Sequence, residues 1–181
     1  EYFITQLRKR GVTILLNTKA SPRLVSEADF DAVIVATGGV QNVPPIPGAD
    51  GANVTLAWDV FGREDRLGRK IVIVGGGSVG CETGIHLSMK GHDVTEMSGW
   101  LASTAQISER MSILEEIEKR GIHALTERTC TEITPNGVKV RDKEGRESLI
   151  EADSVIICAG TRPSSDRDSF RDTAFDVIRV G

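Results

Sequence analysis

Three glycines, Gly75, Gly77 and Gly80, stand in the order G-x-G-x-x-G within IVIVGGGSVGCETGIHLSMKGHDV, the stretch from Ile71 to Val94. Apolar residues precede them and an apparent helix follows, so the glycines fall on the turn from a strand into a helix. That spacing has a chemical use. The first glycine permits the tight turn, the second lets a diphosphate approach the backbone without meeting a Cβ, and the third lets the helix pack closely on the strand. The amides of Ser78, Val79 and Gly80, at the positive end of the helix dipole, can then receive phosphate oxygens without a lysine. No Gly-Lys-Ser/Thr follows, so this is not a Walker loop. A merely structural glycine turn is the alternative reading.

A dinucleotide site needs a second group, an acid at the end of the next strand for the ribose hydroxyls, about eighteen residues after the third glycine. Ser98 holds that position. The only acid nearby is Glu96, which reaches the ribose if the strand is two residues shorter than usual, and which otherwise reads as a solvent-facing carboxylate near a strand end. No lysine or arginine lies between Glu96 and Gln106, which tilts the reading toward NADH over NADPH.

The elements that must position these groups are legible around them. Strand Lys70–Val74, helix Ser78–Lys90 and strand Asp93–Met97 form a βαβ unit, with Gly91 as the helix stop. A second helix over about 108–119 sets Ile107, Met111, Leu114 and Ile117 on one face. Short strands follow, the pair 137–141 and 147–151 joined by a hairpin turn at Asp142–Gly145, before the apolar strand Ser154–Ala159 returns as a buried parallel strand.

The chain also echoes itself. KRGVTILL at Lys9–Leu16 and DAVIVATGG at Asp31–Gly39 are matched by KRGIHALT at Lys119–Thr126 and DSVIICAGT at Asp153–Thr161. Each copy reads as a helix ending in Lys-Arg-Gly, a short strand, and then a strand buried on both faces running into a glycine turn. The glycine-rich stretch precedes only the second copy; the first begins inside its helix. VPPIPGADG at Val43–Gly51 can continue neither helix nor sheet and reads as a domain boundary, and FDVIRVG at Phe175–Gly181 reads as one more strand. The expected fold is α/β: a Rossmann-like three-layer nucleotide-binding domain with a β-meander, flanked by pieces of a second, incomplete domain.

Composition excludes several classes. With 181 residues, 39% hydrophobic and 27% charged, the chain reads as globular. A net charge of -4 with scattered basic residues argues against a nucleic-acid surface, and no apolar run has the length of a membrane span, so no nucleic acid or membrane is expected as partner and the cytoplasm is the default address. Cys81, Cys130 and Cys158 form no C-x-x-C pair and read as packing residues; His86 and His92 read as surface residues.

Taken together, VIVATGG…VPPIPG, AWDVF at Ala57–Phe61, Gly68-Arg69-Lys70, IVIVGGGSVGCETG and IICAGTRP resemble the C-terminal reductase portion of the old-yellow-enzyme-related iron-sulfur flavoproteins, the family of 2,4-dienoyl-CoA reductase, 2-enoate reductase and trimethylamine dehydrogenase. The resemblance covers nearly the whole chain. It implies residues 1–48 as a partial FAD-type domain, 49–165 as an inserted NAD(P)H-binding domain, and 166–181 as a return strand toward the FAD-type domain. It further implies that the rest of the polypeptide supplies a flavin barrel with FMN and a 4Fe-4S cluster, with electrons passing from nicotinamide through FAD and the cluster to FMN and an unsaturated substrate. On this resemblance Glu82 lies near the nicotinamide, Ala159, Gly160 and Thr161 face its half of the dinucleotide, and Thr37 and Gly38 belong to the FAD side. The segment Val94–Trp100, without an acid at the usual offset, resembles instead the dehydrogenase branch, in which this domain need not use nicotinamide and serves as structure.

Overall fold

A computed structural model describes residues 1–180, and of residues 166 and 167 the backbone alone. The chain divides into two compact units, Glu1–Gly38 with Pro163–Gly181, and Gly39–Arg162. In order they carry α1 (Tyr2–Lys9), α2 (Pro22–Glu27), β1 (Ala32–Val35), β2 (Gly39–Gln41), β3 (Val54–Leu56), β4 (Lys70–Val74), α3 (Ser78–Met89), β5 (Asp93–Ser98), α4 (Ile107–Lys119), β6 (His123–Thr126), β7 (Thr129–Thr134), β8 (Gly137–Arg141), β9 (Glu147–Glu151), β10 (Ser154–Ile157), β11 (Thr161–Pro163) and β12 (Asp176–Arg179).

The larger unit is built on a five-stranded sheet in the order β3-β10-β4-β5-β6, parallel at every junction. Parallel strands covered on both faces need continuous apolar runs, and Ile71, Val72, Ile73, Val155, Ile156 and Ile157 are each 1% exposed or less. One face packs Ile71, Ile73 and Ile156 against Cys81 and Leu87 of α3 and Ile113 and Ile117 of α4. The other packs Val72, Val155 and Ile157 against Ile133, Val138 and Val140 of the antiparallel meander β7-β8-β9. The three layers are therefore helices, parallel sheet and meander, and each such buried side chain stabilises the unit by about 2 kcal/mol. Residues 43–51 run against the meander, where Ile46 and Ala49 join its apolar cluster and the Ile133 amide donates to the Pro47 carbonyl at 2.8 Å.

The echo is real in its helix ends. After α1 and α4, Gly11 and Gly121 take left-handed φ of 67° and 64°. The Gly11 amide donates to Arg8 and the Val12 amide to Leu7; likewise Gly121 to Glu118 and Ile122 to Ile117. These are matching Schellman ends, in which glycine satisfies the last carbonyls at no Cβ cost. The strands diverge. Every residue of β10 is buried, whereas in β1 Ile34 is 66% exposed, because among the described residues of the smaller unit β1 pairs with β12 alone. Both its faces are thus not covered as expected. The strand expected over 13–16 does not form: among the described residues no partner strand takes it, and Leu15 and Leu16 are exposed. The terminal run is a strand over Asp176–Arg179; its Gly181 lies outside the described residues.

Other local expectations also shift. Residues 57–59 form a single 3-10 turn. On α4 the apolar face is turned from the expected one, with Ile113 and Ile117 buried and Ile107 and Met111 exposed at 86% and 67%. A capping box fixes its start, Gln106 and Glu109 each bonding the other's backbone. His86 is no free surface residue: its Nε2 lies 2.6 Å from Glu64 Oε1, which holds the Glu64 carboxyl below its usual range, and its ring packs on Phe61. His92 also has a partner, its Nδ1 lying 2.9 Å from the Gly68 carbonyl oxygen.

Candidate functional site

The glycine turn lies at the carboxyl edge of the parallel sheet, between the end of β4 and the start of α3, where open α/β sheets place their ligands. Gly75 has a φ of 115°, which only glycine adopts without strain, and a side chain there would strike the Cys158 carbonyl. The Gly75 amide is drawn to the Met97 carbonyl at 2.9 Å, and the Cys158 amide to the Val74 carbonyl at 2.9 Å, so the turn is fastened on both flanks. Gly80 sits on the carbonyl oxygen of Gly75, so close that no Cβ fits between helix and turn. First and third glycines therefore do what the spacing implies.

Gly77 is the residue before the helix, with ordinary extended φ and ψ of −67° and −178°. The first backbone N–H groups of an α-helix have no carbonyl of their own to reach, and here those belong to Ser78, Val79 and Gly80. The Ser78 amide is already taken: it donates to Thr104 Oγ1 at 2.9 Å, and the two hydroxyls lie 3.0 Å apart. Thr104 belongs to the segment from Gly99 to Gln106 between β5 and α4, and nothing in the sequence pattern singled it out.

The two ribose candidates both point at the turn from β5. Glu96 is wholly buried, Ser98 partly, and both carboxyl oxygens of Glu96 and Ser98 Oγ are enclosed without a hydrogen-bond partner. A Cβ on Gly76 would collide with both side chains, so they fill the space directly under the middle of the turn. Burial pushes the Glu96 carboxyl up to about 7. The solvent-facing reading of Glu96 is thereby overturned, and as placed its oxygens reach no solvent from which a ribose could approach. The alternation along β5 explains it: Val94, Glu96 and Ser98 share one face of the strand, and that face is roofed by the glycine turn and α3.

The remaining positions fall in two places. Glu82 is exposed on α3, just beyond its first turn. Ala159 and Gly160 follow β10, where their carbonyls accept the side-chain and backbone N–H groups of Asn42 at 3.3 and 2.9 Å; Thr161 opens β11, which pairs with β2. All of these belong to the larger unit with the glycine turn. Thr37 and Gly38 belong to the smaller unit. There Thr37 lines a cavity of about 470 Å³ with Lys19, Ser21 and Phe170, and Gly38, with a φ of 71°, accepts the Ser164 amide at 3.0 Å.

The thiols have no redox geometry. Burial pushes Cys81 up to about 11 and Cys158 up to about 12, which keeps both as neutral packing residues. Among the described residues no group of three or more His, Cys, Asp or Glu side chains is arranged to hold a metal, so these residues do not fit an iron-sulfur cluster.

A sequence profile decides the family. That of "Pyridine nucleotide-disulphide oxidoreductase" matches residues 3–170. The chain belongs to that family. Among its relatives, the NADH oxidase of Thermoanaerobacter brockii is 32% identical over 189 residues, covering 100% of this chain and 29% of that protein. The cinnamate reductase of Clostridium sporogenes is 32% identical over 176 residues, covering 94% of this chain and 26% of that protein. Among solved structures, a 2-naphthoyl-CoA reductase in complex with 2-naphthoyl-CoA superposes with a TM-score of 0.88 at 26% identity, over 99% of this chain and 28% of that one. The chain thus spans less than a third of each. The pyridine nucleotide-disulphide oxidoreductase family uses NAD(P)H and FAD. No helix among the described residues is long and apolar enough to cross a membrane.

Proposed function

We propose that this chain is the NAD(P)H-binding segment of a larger flavin-dependent oxidoreductase, delivering hydride to FAD for the reduction of an unsaturated acid or acyl-CoA in the cytoplasm. Residues 49–165 are the nicotinamide domain, and 1–48 with 166–181 are parts of the FAD domain. In this reading Ser78, Val79 and Gly80 hold the diphosphate, and Glu96 and Ser98, at the end of β5, stand on the side of the adenosine ribose. Glu82, Ala159, Gly160 and Thr161 stand toward the nicotinamide, and Thr37 and Gly38 toward FAD. The rest of the polypeptide supplies the remaining FAD contacts, with FMN and a 4Fe-4S cluster in a barrel domain; nothing among the described cysteines suits the cluster.

The observation that carries the reading is the turn itself. Gly75 and Gly80 bring an α-helix amino end to the carboxyl edge of a parallel sheet at a spacing suited to a diphosphate. Calorimetric titration with NADH, NADPH and ADP tests it. Binding by a dinucleotide and by ADP supports the reading, and no binding by any of them at millimolar concentration overturns it.

A second reading has a specific observation in its favour. With Thr104 on the Ser78 amide and Glu96 enclosed, the domain is suited to serve as structure in an amine-dehydrogenase-like flavoprotein that no longer uses nicotinamide. It predicts that replacing Gly77 by a bulky residue leaves the parent enzyme's turnover unchanged.

A further inference from the structure

The hydroxyl of Thr104 stands where a phosphate oxygen would stand at the amino end of α3. It accepts the Ser78 N–H at 2.9 Å, and a Cβ built on Gly77 would lie 3.2 Å from the same oxygen. Thr104 therefore roofs the second glycine, the one through which a diphosphate approaches the backbone. One N–H makes one good hydrogen bond, so the hydroxyl and a phosphate oxygen compete for it.

The segment that carries Thr104 is fastened on either side of the contact. Leu101 and Ala102 are 9% and 0% exposed and belong to the helix-side core. Arg110 Nε donates to the Leu101 carbonyl at 3.1 Å, and the same guanidinium lies 4.8 Å from the centre of the Trp100 ring. Thr104 itself is exposed, so its side chain can turn away without disturbing those anchors. Independently, the buried carboxyl of Glu96 and the Ser98 hydroxyl are directed at the same turn and have no partner in the protein. The turn is polar on its underside as well as at its amides.

We propose that Thr104 is an affinity-setting residue of the dinucleotide site: its hydroxyl caps α3 in the ligand-free protein, and the diphosphate binds by displacing it. This rests on the dinucleotide reading of the glycine turn. A threonine cap is worth enough that its removal tightens binding about fivefold, because the competitor is gone while the amide remains.

The test compares wild type, Thr104→Val and Thr104→Ser in the whole polypeptide that carries this sequence, by calorimetry with NADH, NADPH and ADP and by thermal unfolding without ligand. Thr104→Val is expected to melt about 3 °C lower and to bind all three about fivefold tighter, while Thr104→Ser retains the wild-type values. A purely structural cap would lower the melting temperature and leave affinity alone. Ligand binding that is unchanged or weaker in Thr104→Val overturns the proposal while leaving the dinucleotide reading standing. Binding by none of the three proteins overturns that reading and this proposal with it.

Discussion

The carboxyl group of Glu96 lies directly beneath the backbone of Gly76, with neither oxygen hydrogen-bonded. A charge enclosed in this way is costly, which is why the group titrates near 7 rather than at an exposed carboxylate's 4.5. Its folded-state value lies above its unfolded one. The native protein therefore holds a proton that the unfolded chain releases, and stability falls as pH rises from about 4.5 through about 7. A shift of that size corresponds to about 3 kcal/mol lost above pH 7. Glu96→Gln is expected to unfold like wild type at pH 5 and to be more stable by about 2–3 kcal/mol at pH 8, in urea melts. Parallel stability profiles for the two proteins would contradict this account of Glu96.

Gly77 and Gly80 separate binding from folding. A methyl at Gly80 meets the Gly75 carbonyl, a backbone atom that cannot swing aside, so Gly80→Ala costs about 3 kcal/mol or more. At Gly77 the nearest atom is the Thr104 hydroxyl at 3.2 Å and the backbone is ordinary, so Gly77→Ala costs about 1 kcal/mol. Yet Gly77→Ala is expected to weaken NADH binding at least about tenfold, by putting a Cβ in the path of the diphosphate. Equal losses of stability in both variants, or undiminished NADH affinity in Gly77→Ala, would refute this division.

Cys81 and Cys158 are buried and held as thiols, so neither is a nucleophile in the folded protein. Titration with a thiol reagent at pH 8 is expected to modify these two only after denaturant is added. Rapid native-state labelling of either, located by mass spectrometry, would show a reactive site that the packing denies.

What could be read from the sequence was whatever depends on local order. Gly11, Gly91 and Gly121 end their helices because only glycine takes φ of 67°, 92° and 64° cheaply, and that requirement is written in one residue. The strand β10 was legible because burial on both faces needs an unbroken apolar run. The failures depend on partners. DAVIV is as apolar as DSVII, but Ile34 stays exposed where, among the described residues, no third strand joins the pair, and VTILL at Val12–Leu16 forms no strand without a neighbour. Thr104 was invisible because its role is set by where a loop returns, 26 positions after the Ser78 amide it caps. The strand of Glu96 is legible in the sequence, but its burial is not, because which side is roofed follows from how the turn and α3 fold back.

Backbone amides at the start of α3 either hold a diphosphate or they do not, and their own resonances report it. In a nitrogen-15 NMR titration of the protein with ADP, the amides of Ser78, Val79 and Gly80 are expected to move furthest, as the phosphates arrive and Thr104 leaves. Saturable binding whose shifts cluster away from these three residues, or ADP that moves none of them, would contradict the dinucleotide site.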